Sequence, residues 1–191
     1  MKRVLLAEPR GFCAGVERAV AAVVRALETY GPPIYVRKHI VHNVHVVADL
    51  EARGAIFVES EQDVPKGGRL VLAAHGVAPS VYRTAAARQL TTVDATCPLV
   101  QKVHAEVRRF AAAGYRIILI GHAGHDEVVG TTGQAPDAIT LVETAEQARS
   151  LELPETEKLA YVTQTTLSVD ETSGIVAMTP PCPGRPVSAN R

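Results

Sequence analysis

Short apolar runs alternate with longer amphipathic stretches along most of the chain. The short runs predict β-strands at residues 4–8, 34–36, 56–59, 69–73, 92–95, 115–120, 139–142 and 159–162. Apolar residues recur every three or four positions in other stretches, which predicts helices at residues 16–30, 44–53, 79–90, 99–113, 143–151 and about 168–178. Residues from 127 onwards predict a loop or a short helix. Strands that alternate with helices indicate an α/β fold with parallel sheets.

Two stretches of the chain share one arrangement, in which a cysteine between a strand and a helix is followed by polar residues at later strand ends. These residues are Cys13, His42 and His75 in the first stretch and Cys97, His125 and Thr165 in the second. The interval from the cysteine to the first histidine is 29 residues in one stretch and 28 in the other. The matched spacing predicts one α/β unit used twice, over residues 1–97 and 98–177.

The last part of the chain breaks this pattern. Residues 179–186 contain four prolines, which exclude both a helix and the interior of a strand. We therefore expect a disordered, proline-rich tail over residues 178–191. Cys182 follows Cys97 at nearly the interval that separates Cys97 from Cys13. It nevertheless lies between prolines, without a strand before it or a helix after it, so we do not expect it to act as a third ligand.

Charge and hydropathy exclude several classes of function. Lysine plus arginine and aspartate plus glutamate number 20 each, so the formal net charge is zero. This neutrality argues against a nucleic-acid partner, because binding to the phosphate backbone depends on clustered cations. No apolar run approaches the roughly 18 residues of a membrane span, and the run near the amino terminus is too short for a signal-peptide core. We therefore expect a cytoplasmic protein without a membrane partner.

The three cysteines are too widely spaced to indicate a disulfide framework. Cys13 and Cys97 each precede a predicted helix, where backbone N–H groups stabilise a thiolate. Neither belongs to a close C-x-x-C pair, which makes a structural zinc finger a poor fit. Thiols gathered from two separate units fit an iron–sulfur cluster better. For either cysteine alone, a buried structural thiol is an equally good interpretation.

Histidines at strand ends are the second candidate feature. His42, His75 and His125 follow predicted strands, and ligands of open α/β sheets bind beyond the carboxyl ends of the strands. Such imidazoles could hold a phosphate or move protons. Glu127 lies two residues after His125 and could act as a general acid, although a solvated loop carboxylate is the alternative. Thr165 offers a hydroxyl at the end of the last predicted strand. We interpret His39, His45 and His104 as structural or surface residues, and leave His122 open.

The residues around these positions resemble one enzyme family, the 4-hydroxy-3-methylbut-2-enyl diphosphate reductases of the non-mevalonate isoprenoid pathway. The resemblance is carried by ordered segments spread from residue 11 to about residue 176. These segments are Gly11-Phe12-Cys13-Ala14-Gly15-Val16, Val41-His42-Asn43, Ala74-His75-Gly76-Val77, Asp94-Ala95-Thr96-Cys97-Pro98, Gly121-His122-Ala123-Gly124-His125 with Glu127, and Thr163-Gln164-Thr165-Thr166-Leu167-Ser168-Val169-Asp170. A series of this length is far more specific than any single short motif.

The resemblance implies a cytoplasmic enzyme of three similar α/β domains around a central [4Fe–4S] cluster, with one cysteine ligand from each domain. Cys13 and Cys97 would be two of those ligands. The reaction implied is the reductive removal of the substrate hydroxyl as water, which yields isopentenyl and dimethylallyl diphosphates. A ferredoxin or a flavodoxin would supply the electrons.

The resemblance also implies roles for the polar residues at the strand ends. His42, His75 and His125 would contact the substrate, mainly its diphosphate. Glu127 would supply the proton. Thr165 would orient the substrate and a nearby water.

The chain departs from the family in its last part, because the resemblance ends near residues 175–177. Family members have a third domain with a third cysteine and a Ser/Asn-rich segment that grips the diphosphate. We therefore expect two parallel-sheet α/β units of a pseudo-threefold fold, with the third unit missing. We also expect low or no reductase activity from this chain.

Two other functions stay open on the residues alone. A truncated fragment or binding module would fold without carrying a metal or catalysing a reaction. A mononuclear metal hydrolase or lyase would use cysteine and histidine ligands, and zinc without sulfide would distinguish it.

Overall fold

Two consecutive α/β units make up the computed structural model, which describes residues 3–6, 8, 10–152 and 158–178. The first unit comprises helices α1 (Ala14–Tyr30), α2 (Val44–Ala52) and α3 (Pro79–Ala87), and strands β1 (Ile34–Arg37), β2 (Ala55–Val58), β3 (Arg69–Leu72) and β4 (Thr91–Asp94). The second comprises helices α4 (Pro98–Ala112), α5 (Asp126–Thr132), α6 (Ala145–Arg149) and α7 (Val169–Met178), and strands β5 (Arg116–Ile120), β6 (Ile139–Val142) and β7 (Leu159–Thr163). A short 3-10 helix, Glu61–Asp63, lies between β2 and β3.

The two sheets have corresponding strand orders. The first sheet runs β2-β1-β3-β4 and the second runs β6-β5-β7, and every pairing is parallel. Strands β1, β2 and β3 therefore correspond to β5, β6 and β7. This correspondence confirms the expected α/β class and the two similar parallel-sheet units. Strand β4 has no counterpart in the second sheet among the residues that the structure describes.

The central strands of each sheet are covered on both faces, as is usual for parallel sheets. In the first sheet Val71 packs with α1 and α2, whereas its neighbours Leu70 and Leu72 pack with α3 on the opposite face. In the second sheet Ile117 and Leu119 face α4, and the alternate residues face α6 and α7. The near-continuous apolar sequence of β5 follows from this double burial, because residues on both faces of the strand lie in a core.

Helix ends place several strand-end residues. The side chain of Asn43 accepts hydrogen bonds from the backbone N–H groups of His45 and Val46, at 3.1 and 3.2 Å, and so caps α2 directly after His42. Pro98 occupies the first turn of α4, directly after Cys97, where a missing N–H costs nothing. The short segment from 127 onwards is the helix α5.

The prediction of a strand at residues 4–8 is wrong for the residues that the structure describes there. Residues 3–6 and 8 form no strand, and Val4, Leu5 and Leu6 are 83%, 82% and 69% exposed. The internal correspondence gives the physical reason. Strand β4, which precedes Cys97, pairs with the sheet of the unit before it rather than with the unit that Cys97 begins. The apolar run before Cys13 would accordingly need the sheet of a preceding unit, and the described residues include none.

The unit boundaries at residues 97 and 98 stay a prediction. Cys97 lies between the last strand of the first sheet and the first helix of the second unit, which is compatible with those boundaries. The expected tail over 178–191 lies almost entirely outside the described residues, as does Cys182.

The contrast between the buried strand β5 and the exposed run at residues 4–6 can be tested by replacing one leucine in each with alanine. We expect Leu119→Ala, which removes a side chain that is 1% exposed in β5, to lower the free energy of unfolding by about 2–5 kcal/mol. Leu5→Ala, at an exposed position, should change it by less than about 0.5 kcal/mol. Urea unfolding followed by circular dichroism measures both. A cost for Leu5→Ala as large as that for Leu119→Ala would show that the amino-terminal run packs in a core.

Candidate functional site

A cleft of about 400 Å³ lies where the two units meet. It is lined by groups from both units, namely Cys13, His42, His75, Cys97, Glu127 and Thr165, together with apolar side chains such as Phe12 and Leu99. His125 contacts the rings of His42 and His75 at the edge of this group. The structure thus brings together all seven residues that the sequence singled out.

The two cysteines occupy equivalent positions. Cys13 is the N-cap residue of α1 and Cys97 is the N-cap residue of α4. Cys13 is exposed and Cys97 is half-buried, and both are free thiols. Each cysteine therefore lies at a helix amino terminus, whose partial positive charge favours a bound anion.

Gly15 explains how the two thiols come together. A Cβ at this position would lie 2.8 Å from Sγ of Cys97 and 3.7 Å from Sγ of Cys13. Any larger residue would therefore displace the Cys97 sulfur from the first turn of α1. Both sulfurs face one small space beside Gly15, and that space together with two thiol donors fits an edge of an iron–sulfur cluster.

Three imidazoles form a cluster on one side of the cleft. The ring centroids of His42 and His75 are 4.5 Å apart, and the ring of His125 lies 5.6 Å from His42 and 5.5 Å from His75. His42 is exposed, His125 is half-buried and His75 is buried. The Nδ1 atom of His75 has no hydrogen-bond partner, although it is buried. An unpaired buried nitrogen is costly, so this group is available to a ligand.

The tautomer of His125 follows from its local hydrogen bond. The backbone N–H of Glu127 donates to Nδ1 of His125 at 3.2 Å, because His125 is the N-cap residue of α5. Nδ1 therefore carries no proton, and in the neutral ring the proton sits on Nε2. That N–H is a donor, which suits an anionic oxygen better than a metal ion.

Glu127 is held in a fixed orientation by Thr165. The carboxylate accepts a hydrogen bond from the backbone N–H of Thr165 at 2.6 Å and another from its hydroxyl at 2.9 Å. Glu127 itself is 1% exposed. Burial raises the pKa of Glu127, and the two hydrogen bonds from Thr165 oppose that rise. The result is a buried carboxyl group that holds its proton to higher pH than a surface glutamate does.

The pKa values of two imidazoles, His75 and His125, are shifted downwards, opposite to that of Glu127. Burial, followed by the nearby His42 and His125, lowers the pKa of His75 to about 4. Burial and His42 also lower the pKa of His125. Both rings are therefore neutral at pH 7 until an anion approaches, which would raise their pKa values again.

The three histidines also meet a geometric criterion for a metal. One nitrogen from each ring lies within 4.8 Å of the others. The hydrogen bond at Nδ1 of His125 acts against this use, because the free nitrogen of the neutral ring is the protonated one. Among the described residues, neither cysteine belongs to this group of possible metal ligands.

Sequence reasoning missed the residues that support the site from behind. The sequence analysis named Gly15 only as part of the segment around Cys13, and it did not identify the cap at Asn43. Gln164 accepts a hydrogen bond from the backbone N–H of His122 at 3.1 Å and donates to Thr166, so it is a structural residue. His104 is buried in α4, as a structural histidine should be, whereas His39 and His45 are exposed.

Comparison with known proteins identifies the family. The family model described as "LytB protein" matches residues 4–181. Curated relatives named 4-hydroxy-3-methylbut-2-enyl diphosphate reductase include those of Acidothermus cellulolyticus, 65% identical over 171 residues, and Tropheryma whipplei, 59% identical. Each alignment covers 90% of this chain, but 50% of the first relative and 55% of the second. The chain belongs to the LytB family.

Solved structures agree with this assignment. The reductase from Plasmodium falciparum superposes with a TM-score of 0.87 at 47% identity, over 90% of this chain and 54% of that one. A second reductase structure, described as the terminal enzyme of the non-mevalonate pathway, gives a TM-score of 0.76 at 30% identity. This chain spans about half the length of the curated relatives it matches, which is compatible with the expected absence of a third unit.

The lowered histidine pKa values predict acid sensitivity. His75 and His104 both have a pKa of about 4 in the folded chain, chiefly because they are buried, against 6.5 when exposed. Between these values the unfolded chain binds more protons, so the free energy of unfolding should fall as pH drops from 6.5 to 4. The slope is up to about 1.4 kcal/mol per pH unit for each group.

Urea unfolding at several pH values measures this slope. His75→Asn and His104→Asn should each reduce the slope of the free energy of unfolding against pH by the contribution of one titrating group. His45→Asn, at an exposed residue, should leave the slope unchanged. An unchanged slope in both buried-site variants would show that these imidazoles are not held neutral by the fold.

Proposed function

We propose that this chain forms a large part of the site at which 4-hydroxy-3-methylbut-2-enyl diphosphate is reductively dehydroxylated to isopentenyl and dimethylallyl diphosphates. The observation that carries the proposal is the convergence of thiols, imidazoles and a buried carboxyl group from two units on one cleft. The names of the relatives support the same reaction.

Cys13 and Cys97 are proposed as ligands of a [4Fe–4S] cluster. Their sulfurs face the space beside Gly15, where only a hydrogen on the α-carbon leaves room. When bound, the cluster supplies electrons and a Lewis-acidic iron for the substrate hydroxyl. A third ligand has to come from outside the residues described here.

His42, His75 and His125 are proposed to bind the diphosphate. The Nε2–H of His125 points to an acceptor ligand, and the unpartnered Nδ1 of His75 gains a partner on binding. The negative charge of the diphosphate would raise the lowered pKa values of His75 and His125 and favour additional N–H donors. The site would therefore bind an oxyanion more tightly as the rings become protonated.

Glu127 is proposed as the proton donor. The reaction breaks the carbon–oxygen bond, adds two electrons and one proton to the allylic carbon skeleton, and uses a second proton to release the hydroxyl as water. A buried carboxyl group with a raised pKa keeps a proton ready for one of these transfers. Thr165 holds the carboxylate through two hydrogen bonds and so fixes where the proton is delivered.

The wider setting of the reaction is proposed from the same resemblance. A ferredoxin or flavodoxin would deliver the two electrons, and the enzyme would work in the cytoplasm. Among the described residues, none of the helices combines the length and hydropathy required to cross a membrane.

A mononuclear metal site is the second candidate, because the three imidazoles lie close enough to share an ion. Such a protein would be a zinc-type hydrolase or lyase. The protonated Nε2 of His125 and the absence of both described thiols from the histidine group favour the first proposal.

The cluster proposal is tested by the cysteines themselves. After anaerobic reconstitution, Cys13→Ser and Cys97→Ser should each lower bound iron and acid-labile sulfide at least several-fold, because a thiolate ligand is lost. Cys182→Ser is the matched control, since the chain has three cysteines and this one is not a proposed ligand. Loss of iron in Cys182→Ser, with retention in Cys13→Ser, would contradict the ligand assignment.

The anion proposal is tested with inorganic pyrophosphate. Calorimetric titration should show His42→Ala and His125→Ala binding it about tenfold or more weakly, because each removes a charge-assisted hydrogen bond. His45→Ala, at an exposed residue on α2, should bind it as the unchanged chain does. Stoichiometric zinc binding that requires all three histidines, without pyrophosphate binding, would favour the metal hydrolase instead.

A further inference from the structure

The loop directly after His75 is gripped between two helices of the second unit. This loop, Gly76–Ala78, belongs to the first unit and connects the end of β3 to α3. On one side it contacts α5, and on the other side it contacts α4. Apart from Val100, the residues that make these contacts do not line the cleft, and none of them has a role in the proposed chemistry.

The contact with α5 requires two glycines. A Cβ at Gly130 would lie 3.0 Å from the carbonyl oxygen of Gly76, and a Cβ at Gly133 would lie 2.3 Å from Cβ of Ala78. The backbone φ of Gly133 is −64°, which any residue adopts. Space rather than conformation therefore demands glycine at position 133.

A glutamine at the end of α5 adds a directional tie. The Nε2 group of Gln134 donates one hydrogen bond to the carbonyl oxygen of Val77 and another to that of Gly130, both at 3.0 Å. Its Oε1 accepts a hydrogen bond from Arg108 of α4 at 2.6 Å. One side chain thus connects the loop, α5 and α4.

The contact with α4 is equally close. Gly76 has a φ of +72°, which favours glycine, and a Cβ there would lie 2.7 Å from Cε1 of His104. It would also lie 3.0 Å from Cγ1 of Val100. The loop backbone therefore rests directly on α4, and the buried His104 ring is part of the surface that supports it.

We infer that the contacts of this loop with α4 and α5, called the loop contacts below, fix the distance of His75 from His125 and Glu127. Gly133 and Gln134 are the positioning residues. Helix α5 carries His125 at its N-cap and Glu127 in its first turn, and grips the loop with its other end. A shift at Gly133 is therefore transmitted along one short helix to both groups. The same shift displaces the loop, and His75 directly precedes that loop in the chain. The functional importance of the distance between His75 and His125 rests on the proposed diphosphate site, but the loop contacts themselves do not.

The test uses a clash that a second substitution removes. Gly133→Ala places a methyl group against Ala78, and Ala78→Gly in the same chain takes the opposing methyl group away. Gly174→Ala is the matched control, because it lies in α7 with no atom within 4 Å of the added Cβ. Proton NMR measures the contact between the His75 and His125 rings in the ligand-free chain, and calorimetry measures pyrophosphate affinity.

In Gly133→Ala we expect the ring contact to weaken and pyrophosphate affinity to fall about tenfold or more, since displacements near 1 Å have effects of this size. The double variant should recover to within about threefold, and Gly174→Ala should match the unchanged chain. A folded Gly133→Ala chain with its ring contact intact would overturn the inference, as would a double variant that does not recover.

Two further results keep the outcomes distinct. If Gly133→Ala does not fold, Gln134→Ala replaces it, because it removes the hydrogen bond to Val77 of the loop, together with the one to Gly130 of α5, without adding bulk. It should weaken the ring contact, and an unchanged contact would overturn the inference. If the unchanged chain binds no pyrophosphate while the ring contact still responds to Gly133→Ala, the proposed function is contradicted. The inference that the loop contacts position His75 is then still supported.

Discussion

The site depends on one constraint, which is that parallel strands from two sheets end at the same cleft. His42 follows β1, His75 follows β3, His125 follows β5 and Thr165 follows β7, so the histidine and threonine positions are equivalent between units. Ligands of open α/β sheets bind at such carboxyl edges, where helix amino termini also converge. Residues from the carboxyl edges of both sheets line the one cleft. The thiols, imidazoles and carboxyl group gather because each unit contributes its edge.

Much of this arrangement could be predicted from the sequence, for reasons that are specific to particular residues. The apolar run at residues 115–120 predicted the strand β5, and the matched spacing after Cys13 and Cys97 predicted the repeated unit. Polar residues directly after apolar runs then identified the candidate site. These signals are local, because each depends on a strand end and the next few residues.

The features that could not be predicted depend on contacts between distant segments. Nothing local to Gly133 reveals that Ala78 lies against it, and nothing local to Gly15 reveals the sulfur of Cys97. The run at residues 4–6 has the pattern of a buried strand, yet the described residues offer it no sheet. Its apolar pattern predicted a strand, but that pattern does not reveal whether a neighbouring sheet is present to pair with it. The position of β4 shows why, since the strand before a cysteine pairs with the preceding unit.

The central proposal is that a cluster held by Cys13 and Cys97 and the three histidines bind two ends of one molecule. Calorimetric titration of the chain with and without a reconstituted cluster tests it directly. The account predicts that the cluster strengthens binding of 4-hydroxy-3-methylbut-2-enyl diphosphate by about tenfold or more, through its hydroxyl, and leaves pyrophosphate binding unchanged. Equal affinities for the hydroxyl-bearing diphosphate in the two forms would contradict it, because the cluster and the histidines would then act independently.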